Sequence, residues 1–397
     1  MDISKSLADR VTPLKASAIR EIFKLTGKPG MISFAGGIPS PDLFPTKEWG
    51  DILKGIMENE GAKALVYGVT EGYPPLTEKV IKMNAKLGNG KNFDRTIITT
   101  GAQQGIDLLI KSLVNEGDGV ICEDPSFIGT LNGIRSYRAK LFGVKMNDDG
   151  IDTDEVEKIL KEKSNKIKLI YTIPTFQNPT GITQSAAKRK QLLKLAEKYD
   201  CFILEDNPYG DLRFSGEPVA TIKSMDENGR VIYVGSFSKT LSPGIRVGWI
   251  TGHEKIIDRV VVCKQVNDVH TPLINQMLVN NYIDAYDFEE HIQKGCELYG
   301  HKCALMLECM DKYFPDCVSY TRPNGGIFLW CTLPEGVDSY ELFKECIDNN
   351  VAFVPGSTCM VDIEKPSNCF RLNYSTMPDD KIEEGIRIVG EIIKRFV

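Results

Sequence analysis

The sequence predicts an α/β protein built on a parallel sheet whose two faces are covered by helices, with a smaller α+β domain after it. Between residues 95 and 250, short β-branched runs alternate with longer amphipathic stretches. The runs are TIITT (96–100), GVICE (119–123), KLIYTIP (168–174), CFILE (201–205) and VIYVG (231–235). Strands that are apolar almost throughout are buried on both faces, and helical segments between them are typical of parallel crossovers.

The residues after about 310 follow a different pattern, which predicts the smaller domain. Strand-like segments at 320–333 and 368–375 flank a helix-like segment at 338–350. A last helix is expected to open at Asp379, because apolar residues recur on one face of the sequence from there to Phe396.

Length and composition agree with two globular domains. A chain of 397 residues exceeds one typical domain, and we divide it into a large domain of residues 46–295 and a small domain of residues 1–45 plus 296–397. The formal charge of −6 and the pI near 5.5 argue against nucleic acid or an anionic membrane as a partner.

The cysteines and histidines point to a cytoplasmic protein without a metal site. The eleven cysteines include no C-x-x-C pair, which favours reduced thiols over a disulfide framework. The four histidines lie in no metal-ligand spacing. No apolar run reaches membrane-spanning length, and the first residues lack the apolar core of a signal peptide.

Ligands of a doubly wound sheet bind at the carboxyl ends of its strands, so the residues after each run are candidates for a site. After TIITT, Gly101, Ala102 and Gln103 open a helix containing Ile106 and Leu109, and the free N–H groups of a helix start suit a phosphate. This signal alone is weak, because most helices that start at a glycine bind nothing.

The next three runs are followed by residues that also have ordinary structural explanations. Phe127, after GVICE, could simply pack, and Asn178 and Gly181, after KLIYTIP, could simply form a turn. Asp206 and Tyr209 follow CFILE, and a buried Asp206 requires a partner, which could be a helix cap or an arginine.

The last run is followed by Ser236, Ser238 and Lys239, with Arg246 seven residues beyond the lysine. Hydroxyls and a guanidinium suit a phosphate dianion. Together the five strand ends offer a phosphate cradle, a carboxylate, a phenol, an aromatic ring and an amine. Pyridoxal 5′-phosphate would use all of them, with Lys239 forming the Schiff base and an acid on the ring nitrogen.

The same residues carry a family resemblance. The segments SFSKTLSPGIRVGW (236–249), EDNPY (205–209) and QNPTG (177–181) resemble fold-type I class I/II aminotransferases. Further similar segments are SFAGGIPSPDLFP (33–45), YGVTEGYPPL (67–76), TTGAQQ (99–104), HTPLINQM (270–277), TRPNGGIFLW (321–330) and RLNY (371–374). The resemblance covers nearly the whole chain and is strongest to the 2-aminoadipate and kynurenine aminotransferase branch, which shares the segment Ser17 to Glu21. It implies a mostly parallel seven-stranded sheet sandwiched by helices, and a homodimer with shared active sites.

The resemblance also implies a role for each site residue. Lys239, Asp206 and Tyr209 are the catalytic residues. Asn178 and Tyr209 contact the ring oxygen, and Phe127, a tyrosine in many relatives, stacks on the ring. Phosphate binding falls to Gly101, Ala102, Gln103, Ser236, Ser238 and Arg246, and to Tyr67 of a second subunit. The substrate carboxylate is bound by Arg371, Asn178 and the backbone of Gly37. Ser17 and Arg20 are also expected to bind the substrate, with Arg20 reading a distal carboxylate.

Other functions use the same residues. A lyase, decarboxylase or racemase of this fold would share Lys239, Asp206 and Arg246, but a pair of Arg371 and Arg20 favours 2-oxoglutarate as amino acceptor. A non-catalytic pyridoxal-phosphate sensor would carry a basic DNA-binding module first, and the G-G-x-P motif already begins at Gly36. The donor stays open between 2-aminoadipate, kynurenine, aromatic and branched-chain amino acids.

Overall fold

The computed structural model describes residues 6–12, 14 and 30–397. The strands are β1 (Ile32–Ser33), β2 (Asp94–Thr99), β3 (Gly119–Asp124), β4 (Lys140–Asn147), β5 (Gly150–Ile151), β6 (Ile167–Thr172), β7 (Phe202–Asp206), β8 (Val231–Ser236), β9 (Gly248–His253), β10 (Ser319–Tyr320), β11 (Phe328–Thr332), β12 (Val351–Ala352), β13 (Val354–Pro355) and β14 (Cys369–Asn373). The α-helices are α1 (Thr46–Ala64), α2 (Pro74–Lys86), α3 (Ala102–Leu113), α4 (Ile128–Ser136), α5 (Thr153–Lys161), α6 (Ala186–Lys198), α7 (Glu254–Asn267), α8 (Leu273–Ala285), α9 (Phe288–Tyr313), α10 (Ser339–Asp348) and α11 (Asp379–Ile393).

The large sheet confirms the predicted α/β class. Its strand order is β2-β9-β8-β7-β6-β3-β4-β5. Within it β9 runs antiparallel to both β2 and β8, and the two-residue strand β5 runs antiparallel to β4. The remaining strands are parallel, so the seven expected strands are present and β5 adds a short eighth at the edge.

The five apolar runs are the strands β2, β3, β6, β7 and β8, whose residues are mostly buried. The runs did not include β4, most of which is only partly buried, or β9, in which Gly248 and Gly252 interrupt the apolar pattern. Both lack the continuous apolar pattern that marks a strand buried on both faces.

The C-terminal residues form the expected mixture of strands and helices. An antiparallel sheet has the order β10-β11-β14-β13, and β1 pairs in parallel with β12, which ties the N-terminal segment to this region. Helix α9 runs without interruption through the proposed domain boundary at residue 295 and packs against α11. One buried cluster includes Leu204 of the large sheet, Phe328 of the small sheet and Val389 of α11, so the division into domains stays a prediction.

None of the helices described is long and apolar enough to cross a membrane. No group of histidine, cysteine and acidic side chains within the described ranges could hold a metal ion.

Candidate active site

A cavity of about 330 Å³ opens at the carboxyl ends of the parallel strands. Since β3, β6, β7 and β8 point the same way, the residues that follow them meet at this edge. The predicted residues that line the cavity are Gly37, Ala102, Gln103, Phe127, Asn178, Asp206, Tyr209, Ser236, Ser238, Lys239, Arg246 and Arg371. The tertiary structure thus brings most of the predicted set into one cavity.

One end of the cavity is built to hold an anion. Helix α3 begins at Ala102, so its unpaired N–H groups and its positive dipole end are there. The Ser236 and Ser238 hydroxyls are 2.9 Å apart, and Arg246 Nη1 donates to Ser238 Oγ at 3.3 Å. A dianion such as phosphate matches this combination of a helix start, two hydroxyls and a guanidinium.

Gly101 makes room for that guanidinium. Its φ of 76° lies in the left-handed region, and a Cβ at this position would lie 2.3 Å from Arg246 Nη2. Glycine is therefore required both by the backbone conformation and by the approach of Arg246. Gly101 shapes the anion site although it is not among the residues that line the cavity.

Lys239 supplies an amine in the middle of the cavity. Its Nζ donates to the carbonyl of Gly37 at 2.6 Å. Burial, and then the positive charges of Arg371 and Arg246, lower the pKa of Lys239 to about 8, and Asp206 opposes them. A larger fraction of this amine is neutral near pH 7 than in an ordinary lysine, so it can act as a nucleophile or a base.

Asp206 is a buried carboxylate with one oxygen free. Tyr171 donates its hydroxyl to Asp206 Oδ2 at 2.8 Å, while Oδ1 has no hydrogen-bond partner among the described residues. Burial raises the pKa of Asp206 to about 7, opposed by the bond from Tyr171 and the charge of Lys239. An unpaired buried carboxylate oxygen is costly, and a protonated ring nitrogen would satisfy it.

Asn178 connects two other polar groups of the cavity. Its Nδ2 donates to the Tyr209 hydroxyl at 3.3 Å, and its Oδ1 accepts from Arg371 Nη1 at 2.8 Å. The Asn178–Pro179 peptide bond, whose isomer the sequence left open, is cis.

Arg371 is a buried cation with spare donors. Its Nη2 donates to the carbonyl of Ala35 at 2.8 Å, and its guanidinium lies 4.2 Å from the centre of the Phe328 ring. In the described part of the chain it has no carboxylate partner, and its Nε has no acceptor. A buried guanidinium in this state suits the carboxylate of a substrate.

Tyr67 lies elsewhere, and two other predicted residues are not among those that the structure describes. Tyr67 does not line the cavity; its side chain is 85% exposed and meets the ring of His270 edge-on at 5.8 Å. Ser17 and Arg20 lie outside the residues that the structure describes.

Sequence reasoning missed other parts of the site. Tyr171, which holds Asp206, lies inside the apolar run of β6, where a tyrosine looked like an ordinary strand residue. The cavity also has an apolar lining to which the sequence analysis assigned no role: Ile38, Ile106, Ile173, Pro208 and Pro243. Four of these lie inside quoted segments and Ile106 lies in the helix after Gly101, so proximity to the motifs was the available signal.

Known proteins are similar to this chain over nearly its whole length. The family model for aminotransferase class I and II matches residues 37–389. Aromatic-amino-acid aminotransferase 1 of Thermococcus litoralis is 39% identical, with 99% of this chain and 95% of that protein covered. The 2-aminoadipate transaminase of Thermus thermophilus is 38% identical, with 96% and 94% covered. The crystal structure of Pyrococcus horikoshii kynurenine aminotransferase in complex with PMP, KYN and KYA superposes with a TM-score of 0.95 at 38% identity, covering 99% of this chain and 98% of that one.

Proposed function

Because the chain belongs to the class I and II aminotransferases, we propose that it moves the amino group of an α-amino acid to 2-oxoglutarate. The observation that carries this proposal is the buried, carboxylate-free guanidinium of Arg371 in the same cavity as the amine of Lys239. The guanidinium suits the α-carboxylate common to all amino and 2-oxo acids, and the amine suits proton transfer at the neighbouring α-carbon.

Pyridoxal 5′-phosphate is the cofactor, as in the related aminotransferases. It supplies an aldehyde that combines with amines and a ring that accepts electrons from the substrate. The described residues fit it, because the anion cradle, the unpaired Oδ1 of Asp206 and the amine of Lys239 all face one cavity. We assign the phosphate to Arg246, Ser236, Ser238 and the start of α3, and the ring nitrogen to Asp206.

The remaining side chains of the cavity position the reactants. The charge of Asp206 would keep a proton on the ring nitrogen, while Tyr171 keeps the carboxylate oriented through its hydroxyl. Phe127 offers an aromatic face, and Tyr209 offers a phenol held by Asn178. We assign these groups to the ring and to its oxygen.

Lys239 would carry the proton transfer. Its lowered pKa leaves Nζ neutral often enough to take the proton from the α-carbon of the substrate, and the protonated Nζ would then deliver it to the former aldehyde carbon of the cofactor. Arg371 would hold the α-carboxylate through its free Nε and the edge it presents to the cavity. Asn178 contacts both Arg371 and Tyr209, so it ties carboxylate binding to the ring-binding side of the cavity.

The donor is proposed among 2-aminoadipate, kynurenine, aromatic and branched-chain amino acids. Relatives named for aromatic amino acids, 2-aminoadipate and kynurenine cover nearly the full chain, and the cavity includes apolar side chains such as Ile38 and Ile106 that could receive an apolar donor. The proposed reading of a distal carboxylate by Arg20, in the segment from Ser17, would serve 2-aminoadipate and glutamate.

A donor panel tests the proposal. The protein, reconstituted with pyridoxal phosphate, is incubated with 2-oxoglutarate and single donors, and glutamate is followed with the loss of each donor. Glutamate formed in equal amount to the donor lost supports transamination. Consumption of donor without glutamate, with release of ammonia or carbon dioxide, would point instead to a lyase or decarboxylase of the same fold.

We also propose a homodimer with shared active sites. Around Tyr67, the side chains of Leu65, Val66 and Val69 are exposed, which leaves an apolar surface strip without cover in the single chain. His270, which Tyr67 contacts, adjoins Thr271, whose hydroxyl lies 3.1 Å from that of Thr100. Since Arg246 donates to the Thr100 carbonyl, this strip lies beside the anion site.

A cytoplasmic location is proposed on the state of the thiols. All eleven cysteines are free in the structure, and most are buried. Reduced thiols on this scale are typical of a reducing compartment.

A further inference from the structure

Glu123 is a fully buried carboxylate that the proposed reaction does not use. It lies on β3, one residue before the end of the strand, and no cation pairs with it among the described residues. Burial raises the pKa of Glu123 to about 7, opposed by hydrogen bonds from Thr172, Gln177 and the backbone of Ile173. Keeping a carboxylate here is costly, so its hydrogen bonds require an explanation.

All the hydrogen-bond partners of Glu123 donate to it, so both of its carboxylate oxygens act as acceptors. The Thr172 hydroxyl and the Ile173 N–H donate to Oε1, the latter at 3.1 Å, and Gln177 Nε2 donates to Oε2 at 3.0 Å. A carboxylate has acceptors at both ends, whereas an amide of the same shape has an acceptor at only one. The environment therefore demands a glutamate and not a glutamine.

Gln177 is fully satisfied in a single orientation. Its Nε2 also donates to the carbonyl of Pro125 at 2.9 Å, while its Oε1 accepts from the N–H and the hydroxyl of Thr180 at 2.9 and 2.7 Å. If the amide were rotated by 180°, its N–H groups would face the Thr180 N–H and its oxygen would face the Glu123 carboxylate and the Pro125 carbonyl. The hydrogen bonds to those three groups would then be lost. Glu123 and the Pro125 carbonyl thus hold the Nε2 end of Gln177, which leaves its Oε1 facing Thr180 in the 177–181 turn.

The next residue in that turn is Asn178, which meets the site. Its side chain touches Tyr209 at 3.3 Å and Arg371 at 2.8 Å. We propose that Glu123 is a positioning residue, which acts through Gln177 to hold Asn178 against Tyr209 and Arg371 and so sets the grip on the substrate carboxylate. This inference rests on the proposed function for the roles of Asn178 and Arg371.

The test compares Glu123→Gln with a matched control, Glu205→Gln, in the holoenzyme. Glu205 is equally buried on β7, which is separated from β3 by β6, but its oxygens accept from the backbone N–H groups of Ile222 and Lys223. Neither of these residues lines the cavity. Both variants remove one buried carboxylate charge, so a generic structural effect would appear in both.

Three quantities are measured: the KM and kcat for 2-oxoglutarate, the Kd of the cofactor-free protein for pyridoxal phosphate by visible absorption, and the Tm. Glu123→Gln is expected to raise KM about tenfold with kcat changed much less, because it loosens binding common to ground and transition states. It is also expected to raise the Kd several-fold. Glu205→Gln should keep KM and Kd within about twofold of the wild type, whatever its Tm.

Equal KM and Kd values in the two glutamine variants would overturn the inference. If Glu123→Gln does not fold, Thr180→Val decides, because it removes one hydroxyl bond to Gln177 and should shift KM and Kd in the same direction by a smaller factor. Unchanged values in Thr180→Val would then refute the proposal. A wild-type protein that binds no pyridoxal phosphate or forms no glutamate would instead refute the proposed function.

Discussion

Replacing Asp206 by asparagine changes the charge of the site while keeping its shape. The asparagine oxygen can still accept from the Tyr171 hydroxyl, which lies 2.8 Å from Oδ2 in the wild type. The other end of the side chain becomes an N–H₂ donor at the place of the unpaired Oδ1. A donor at this place cannot keep a proton on a ring nitrogen, so the ring loses its positive charge.

The loss in turnover follows from that missing charge. One charge-assisted hydrogen bond is worth about 1.5–3 kcal/mol, or roughly ten- to a hundredfold in rate. The interaction lies in a buried place and strengthens as charge moves into the ring, so the loss in kcat should reach at least about a hundredfold. Cofactor should still bind, because the anion cradle at Arg246 and Ser238 is untouched.

Although Asp206→Asn slows turnover, it should make the cofactor-free protein more stable than the wild type near neutral pH. The folded chain keeps a proton on Asp206 up to about pH 7, whereas an unfolded aspartate loses it near pH 3.8. The stability that protonated Asp206 contributes is therefore fully present below pH 3.8. It decreases as the pH rises and is gone once the pH has passed about 7. The raised pKa corresponds to as much as ~4 kcal/mol in the free energy of unfolding. The wild type loses this stability as the pH rises, and the asparagine variant does not.

The assay uses single-turnover rates with a donor from the panel, the amount of bound cofactor, and Tm against pH for cofactor-free protein. Asp206→Asn should have slow turnover with full cofactor occupancy, and a Tm advantage over the wild type that grows from pH 4 to 7. Turnover within threefold of the wild type would refute the electrostatic role of Asp206. A Tm difference independent of pH would refute the buried-charge argument.

Three further predictions concern the cofactor, the assembly and the substrate. Borohydride should fix pyridoxal phosphate to Lys239, as read by peptide mass spectrometry, and an adduct on a different lysine would contradict the assignment. Mixing Lys239→Ala with Tyr67→Ala chains should restore part of the activity lost in each, because one of the two shared sites would then be intact, while an active monomer in sedimentation would exclude shared sites. Arg20→Ala should lower kcat/KM for glutamate and 2-aminoadipate about ten- to a hundredfold and spare leucine in single-turnover half-reactions. An equal loss for all donors would mean that Arg20 does not select dicarboxylates.

The residues at the strand ends were predictable because local pattern carries the relevant physics. A buried parallel strand reads as an apolar run, and the topology of an α/β sheet puts the residues after each run at one edge. Gly101, Asn178, Asp206 and Lys239 were found in this way, and the structure places three of them around one cavity with Gly101 beside it.

Sequence alone determined the fold class, the family and the cofactor, since these depend on apolar periodicity and on residues that lie close together in short segments. Only the tertiary structure decided which distant residues touch: Arg371 with Asn178, Lys239 with Gly37, and Tyr171 with Asp206. Such contacts depend on strand register and on the packing of crossovers, which no local pattern encodes. For the same reason the demand for a carboxylate at Glu123 came only from the donors that fold around it.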